Sequence, residues 1–194
     1  RWRPALGVTE PGAIAFAAST ARRHAPGEIR RITLRLNSGM FKNAFTCGIP
    51  GSDEVGNAHA AALGAVGADP DKGLECLDGI TSAQAEAARK MVENGLITVE
   101  LQEITSRIFI EATVETDQGS AAVTIRDSHT NIVKIAENGV TVWEKETAAE
   151  AAGEEPPVIH RYTLAQLVDY AETVPAAELA FIRQAFTTNL TLFK

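Results

Sequence analysis

His129 sits in the run Asp127-Ser128-His129-Thr130-Asn131, between two stretches of alternating apolar residues. An imidazole in such a position can move a proton or hold a carboxylate, and Thr130 and Asn131 join it as candidate ligand contacts. The same run also reads as a surface histidine flanked by turn-capping hydroxyl side chains. Lys42 and Asn43 pair a cation with an amide in a glycine-bounded segment. That combination suits a carboxylate, and a solvated loop lysine fits equally well. Thr9 and Glu10 stand just before Pro11. Threonine is a good helix N-cap, glutamate suits the positive helix end, and proline is tolerated in the first turn. His59 lies in a run of small residues and reads as a packed or surface histidine. Cys47 and Cys76 form no CxxC or zinc spacing. Both read as small buried hydrophobes, with a stray reactive thiol as a second reading for Cys47. No residue set is expected to ligate a metal.

The elements that must position these residues follow from apolar periodicity. A buried helix is expected from Thr9, through Ile14 and Phe16, to the stop at His24-Ala25-Pro26-Gly27. Ile32, Leu34 and Leu36 alternate with polar neighbours, as a half-buried strand does. Gly-rich loop chemistry is expected from Asn37 to Gly56, then a small-residue helix over about 57–67 and a short helix around Leu74–Leu77. Thr81-Ser82-Ala83-Gln84 has the spacing of a capping box, and Asn94-Gly95 reads as the C-cap of the helix it opens. Alternations at 97–101, 108–114, 121–125, 132–135 and 140–142 give five further strands, with Asn138-Gly139 as a hairpin signal. The acidic, Ala-rich stretch 146–157 ends in two prolines and reads as a linker. Thr163–Gln166 is a second capping box. The final apolar stripe, Leu179, Ile182, Phe186, Leu190 and Phe193, needs a covering surface, supplied by a second copy or by a segment outside this sequence.

At 194 residues, 45% hydrophobic and 22% charged, the chain is long enough to bury a substantial core. A formal charge of −7 argues against sequence-independent nucleic-acid binding. No apolar run approaches a membrane span, so no membrane partner is expected. The chain opens at Arg1 without a leader and reads as an internal or processed piece. Acidic and poor in cysteine, it is expected to be cytoplasmic.

Several blocks carry a family resemblance. Gly7-Val8-Thr9-Glu10-Pro11, Ser38-Gly39-Met40-Phe41-Lys42-Asn43, Gly48-Ile49-Pro50-Gly51, Ala60–Gly67 and His129-Thr130-Asn131-Ile132-Val133 occur in order along nearly the whole chain. Together they resemble the opening portion of L-cysteine desulfidases, iron–sulfur lyases related to bacterial L-serine dehydratases. The resemblance implies α,β-elimination from L-cysteine or L-serine, giving pyruvate and ammonia, on a 4Fe-4S cluster whose open iron acts as Lewis acid. The first cluster cysteine of that family corresponds to Val8, which has no donor atom. The other two lie outside this sequence. No cluster is therefore expected in this chain, and the resemblance points to an inactive piece of a lyase. The alternative is a non-catalytic relative that binds a small amino acid or a partner chain. The resemblance also makes His129 a catalytic candidate and places Thr9 and Glu10 near a substrate.

The expected fold is α+β: a mainly antiparallel sheet of about five or six strands backed by helices. The expected division is an N-terminal helix over 1–28, an α+β domain over 29–145, a linker over 146–160 and a helical segment over 161–194. By resemblance, the terminal helices belong to a helical catalytic domain completed by a missing C-terminal half or a homodimer partner.

Overall fold

The computed structural model describes residues 7–146 and 158–192, and these fall into two compact units. Most of the expected linker, and Phe193 of the expected stripe, lie outside the described residues.

The first unit is α+β. Its sheet has six strands: β1 (Ile29–Asn37), β2 (Ile97–Glu103), β3 (Phe109–Thr116), β4 (Gly119–Arg126), β5 (Ile132–Glu137) and β6 (Val140–Glu144). They lie in the order β2-β1-β3-β4-β5-β6, with β1 and β2 parallel and every other pair antiparallel. All six alternations read from the sequence are strands here. Register stacks their apolar positions on one face. Leu34, Ala112, Val123, Ile135 and Trp143 make one row, and Leu36, Ile110, Ile125 and Ile132 make the next. The opposite face is polar. Arg35 bridges Glu100 at 3.1 Å and Glu111 at 3.3 Å across three strands, so cross-strand charge pairs serve where packing does not.

One helix, α1 (Thr9–His24), lies on the apolar face of the sheet, and every residue from Pro11 to Ala21 is buried. A helix buried on all sides cannot carry unpaired hydroxyls, and the Ser19 and Thr20 hydroxyls donate to the Phe16 carbonyl at 3.0 and 2.8 Å. The helix stops where Arg22 donates to the carbonyls of Ala25 and Gly27, and Gly27 takes φ +102°. Beside α1 packs α3 (Gly56–Gly67), which also meets β1 and β2, with α4 (Ser82–Glu93) against α3 in turn. At the α1–α3 crossing a Cβ on Gly64 would come within 2.5 Å of the Ala15 carbonyl oxygen. Only the missing side chain allows that approach.

Two expectations need correction. Residues Ser38–Ala44 form a helix, α2, inside the stretch read as loop. Glycine content hid it, and tertiary contact makes it: Met40 and Ala44 bury one side while the exposed side keeps Lys42 and Asn43. The helix around Leu74–Leu77 is instead a 3-10 turn over Pro70–Glu75, broken by Gly73 at φ +57°. The Thr81 capping box forms with both of its bonds. At the other end of α4, Gly95 donates to Val92 and Leu96 to Met91, both at 3.0 Å, closing a Schellman turn.

The second unit holds a short 3-10 turn (Val158–Arg161), α5 (Leu164–Thr173) and α6 (Ala180–Leu192). The Thr163–Gln166 capping box forms with both of its bonds. Among residues 158–191 none is buried. No helix among the described residues of either unit is long and apolar enough to cross a membrane.

Gly64→Ala should lower the urea midpoint, by about 1–3 kcal/mol of stability, because the added methyl meets backbone that cannot yield. An unchanged midpoint would show that α3 shifts freely. A second expectation concerns Cys76, whose thiol lies buried 3.6 Å from the Gly12 carbonyl oxygen. Burial pushes that thiol from 9.0 up to about 12. The unfolded chain releases this proton first, so the native state loses stability as pH rises through that window, by at most about 1.4 kcal/mol per pH unit. Urea unfolding across the alkaline range should show a shallower slope for Cys76→Ala than for the parent. Equal slopes would mean the thiol ionises freely in the folded state.

Candidate functional site

The strands bring most of the chemically interesting residues to one end of the sheet. β1 ends there at Asn37, whose amide donates to the Thr105 carbonyl at 2.9 Å and whose Oδ1 accepts from the Phe109 N–H at 3.0 Å. This buried asparagine ties the end of β1, the start of β3 and the Thr105 loop together. α2 leaves from the same point. β4 ends beside it at Arg126, which crosses over the Phe109 ring at 4.9 Å, and the 127–131 turn follows. The C-terminal residue of α1, His24, bonds Glu137 at the opposite end of the sheet. α1 is 16 residues long, and at ~1.5 Å per residue its start reaches back to the Asn37 end.

Around that end the predicted residues divide into two groups. In the first, Thr9 donates to Glu10 at 3.3 Å, and the Asn43 amide donates to the other Glu10 oxygen at 3.2 Å. The Cys47 thiol donates to the Asn43 carbonyl at 2.6 Å, and the Gly56 N–H donates to the Cys47 carbonyl at 3.0 Å. This chain of bonds joins the starts of α1 and α3. Lys42, one residue before Asn43, is exposed, and no hydrogen bond or ion pair holds its ammonium among the described residues. Thr9 does not cap its helix, contrary to expectation. Val8 holds the N-cap position and Val55 holds that of α3, and neither helix has a side-chain cap bond. No side chain of an N-cap residue therefore reaches the first-turn N–H groups of either helix, although the Cys47 carbonyl takes that of Gly56 and Pro11 has none.

The second group is the turn between β4 and β5. Asn131 is consumed locally: its amide donates to the Arg126 carbonyl at 2.9 Å, and Lys145 donates to its Oδ1 at 2.7 Å. Asp127 adopts φ +65° and is held by Arg107 at 2.9 Å. His129 and Thr130 are half-buried, and no side-chain hydrogen bond or ion pair links His129 to any described residue. The two groups share a sheet end, and no direct bond joins them.

Cys47 is half-buried, whereas Cys76 is fully buried, so the small-hydrophobe reading fits Cys76 alone. His59 is held at both ring nitrogens, by the Val55 carbonyl at 3.0 Å and by Glu54 at 3.4 Å. Asn57, buried at the start of α3, donates to the Phe41 carbonyl at 3.1 Å, while its Oδ1 has no partner among the described residues. The described residues offer an iron–sulfur cluster no thiolate set. Val8 has no donor atom, Cys76 faces Gly12, and no group of three or more His, Cys, Asp or Glu among them is placed to hold a metal ion.

Sequence reading missed an open polar cleft of about 640 Å³ between the 51–54 loop and α4. Ser52, Asp53, Glu54, Ser82, Glu86 and Arg89 line it. Loop and helix lie far apart in sequence, and no spacing motif marks them as neighbours.

No protein-family model and no solved structure matches the chain. Curated proteins do. A UPF0597 protein of Dichelobacter nodosus is 35% identical over 189 residues, covering 97% of this chain and 44% of the relative. One of Clostridium botulinum is 33% identical over 192 residues, covering 96% and 45%. One of Yersinia enterocolitica is 36% identical over 193 residues, covering 96% and 43%. The chain thus spans less than half the length of the curated relatives it matches. These findings correct the resemblance to L-cysteine desulfidases. The similar proteins bear a name that states no activity, and nothing in the comparisons links the chain to iron–sulfur lyases or L-serine dehydratases. The chain is similar, over nearly all of its length, to one portion of longer UPF0597 proteins.

Proposed function

We propose that this chain supplies a small-carboxylate site to a longer protein, with a small amino acid such as L-serine or L-cysteine as the ligand class. One observation carries the reading: α1 and α3 both begin at valine N-caps, without side-chain caps, and are joined there through Glu10, Asn43 and Cys47. The start of a helix presents unsatisfied N–H groups and roughly half a positive charge, which together attract an anion. Lys42 adds a full charge beside it. Asn43 supplies a neutral donor, Thr9 a hydroxyl, and the Glu10 carboxylate is the group an α-ammonium would seek. An amino acid therefore meets both of its charges within one short stretch of surface. His129 and Thr130 lie at the same end of the sheet, in the turn after β4, and are the further contacts proposed for the ligand. Asn131 positions that turn through its bonds to Arg126 and Lys145. No reaction is assigned. A proton-moving role for His129 rests on its unpaired imidazole and would follow only once binding is established.

Titrating the chain with L-serine, L-cysteine and acetate, read by amide NMR, tests this. Thr9, Glu10, Lys42 and the first turn of α3 should shift, with smaller shifts at His129 and Thr130. Lys42→Gln should weaken binding about five- to tenfold, the size of one lost charge-assisted contact. Glu10→Gln should weaken the amino acids and spare acetate. His129→Ala should leave stability within about 0.5 kcal/mol, as a substitution without lost bonds does. If none of the three compounds shifts the α1 and α3 starts, the reading is wrong.

A further inference from the structure

The second unit carries an apolar surface that it cannot cover itself. Leu164 is 78% exposed and Phe186 63%, and Val168, Tyr170, Phe181, Ile182 and Leu190 are about half exposed. α5 has 10 residues and α6 has 13. Helices of that length are marginal in water without a packed face. Nor is the apolar surface a narrow seam. At 100° per residue, Ile182, Phe186 and Leu190 fall on one side of α6 and Phe181 on another, so the apolar arc covers roughly half the circumference. α5 spreads Leu164, Val168 and Tyr170 almost as widely. A groove of about 660 Å³ at the start of α6, lined by Leu179, Ile182, Arg183 and Phe186, is apolar and open.

We infer that α5 and α6 are the docking surface for the part of the longer polypeptide that lies outside the matched stretch. The similarity to the Dichelobacter nodosus protein takes in 97% of this chain, so it reaches both helices, yet covers only 44% of that relative. The relative therefore has more than half its length available to pack here. A second copy is the poorer occupant. It would bring two equally coreless short helices, and a two-fold seam covers one stripe per helix rather than half a circumference. A continuing polypeptide can place helices on several sides at once. It also packs at the high effective concentration of a tethered segment. The inference is independent of the carboxylate site in the first unit.

Hydrogen exchange tests it on two lengths: this chain, and the full-length Dichelobacter nodosus relative. With this chain monomeric by light scattering, amides of 164–192 should exchange near the rate of unstructured peptide. The matching amides of the monomeric relative should exchange about a hundredfold slower, as buried helices do. Phe186→Glu should leave exchange in this chain unchanged, and the matching substitution in the relative should remove most of the protection there. Two results overturn the inference. If this chain alone forms a dimer with protected 164–192, and Phe186→Glu dissolves it, the occupant is a second copy. If exchange is equally fast in both proteins, the surface docks nothing. Neither readout depends on amino-acid binding, so a failure here leaves the carboxylate reading to its own titration.

Discussion

The close approach of α1 and α3 at Ala15 and Gly64 is the constraint on which the first unit depends. A Cβ on Gly64 would lie 2.7 Å from the Ala15 Cα, so the two backbones meet with no side chain between them. Alanines on either side make this possible over several turns: Ala13, Ala17 and Ala18 on α1, and Ala60, Ala61 and Ala65 on α3, are all buried. Packing at this density gains dispersion contacts that a looser crossing forfeits. It also removes the freedom of α3 to slide. The distance between the two helix starts is then set by the crossing.

That rigidity matters for the site, because neither helix start is organised by its own cap. Val8 and Val55 leave the first-turn N–H groups without side-chain partners, whereas α4 and α5 begin with complete capping boxes. The protein thus has the means to satisfy helix starts and uses it at α4 and α5. The bonds from Glu10 to Asn43, and from Asn43 through Cys47 to Gly56, stand where caps would. They fix α2 between the two helices and hold Lys42 at the surface beside them. Asn37 does the same for the sheet, tying the strand ends from which α2 departs.

The two units stand in contrast energetically. The first buries a continuous core from Ala13 to Ile125, and its polar sheet face is laced by Arg35 between two glutamates. The second opens α5 with a capping box and has no buried residue among 158–191. Local signals alone, caps and apolar periodicity, specify α5 and α6. Their tertiary partners are what a marginal helix needs most.

Much of this was determined by sequence alone. The period-two alternations name all six strands, and Thr81–Gln84 and Thr163–Gln166 name two helix starts, because side-chain direction and capping are local properties. The α+β class follows from them. What sequence could not determine is whatever depends on residues far apart in the chain. The parallel pairing of β2 with β1 is settled by helices that bridge the strands, and the conversion of 38–44 from loop to helix by burial of Met40 and Ala44. The loss of the Thr9 cap to Val8, and the exhaustion of Asn131 by Arg126 and Lys145, depend on which backbone groups come within reach. The desulfidase resemblance shows the same limit. Matching blocks of residues suggested a chemistry, while the curated relatives that match nearly the whole chain are UPF0597 proteins and give that chemistry no support. Periodicity fixes which way a side chain points, and only the folded chain decides what it meets.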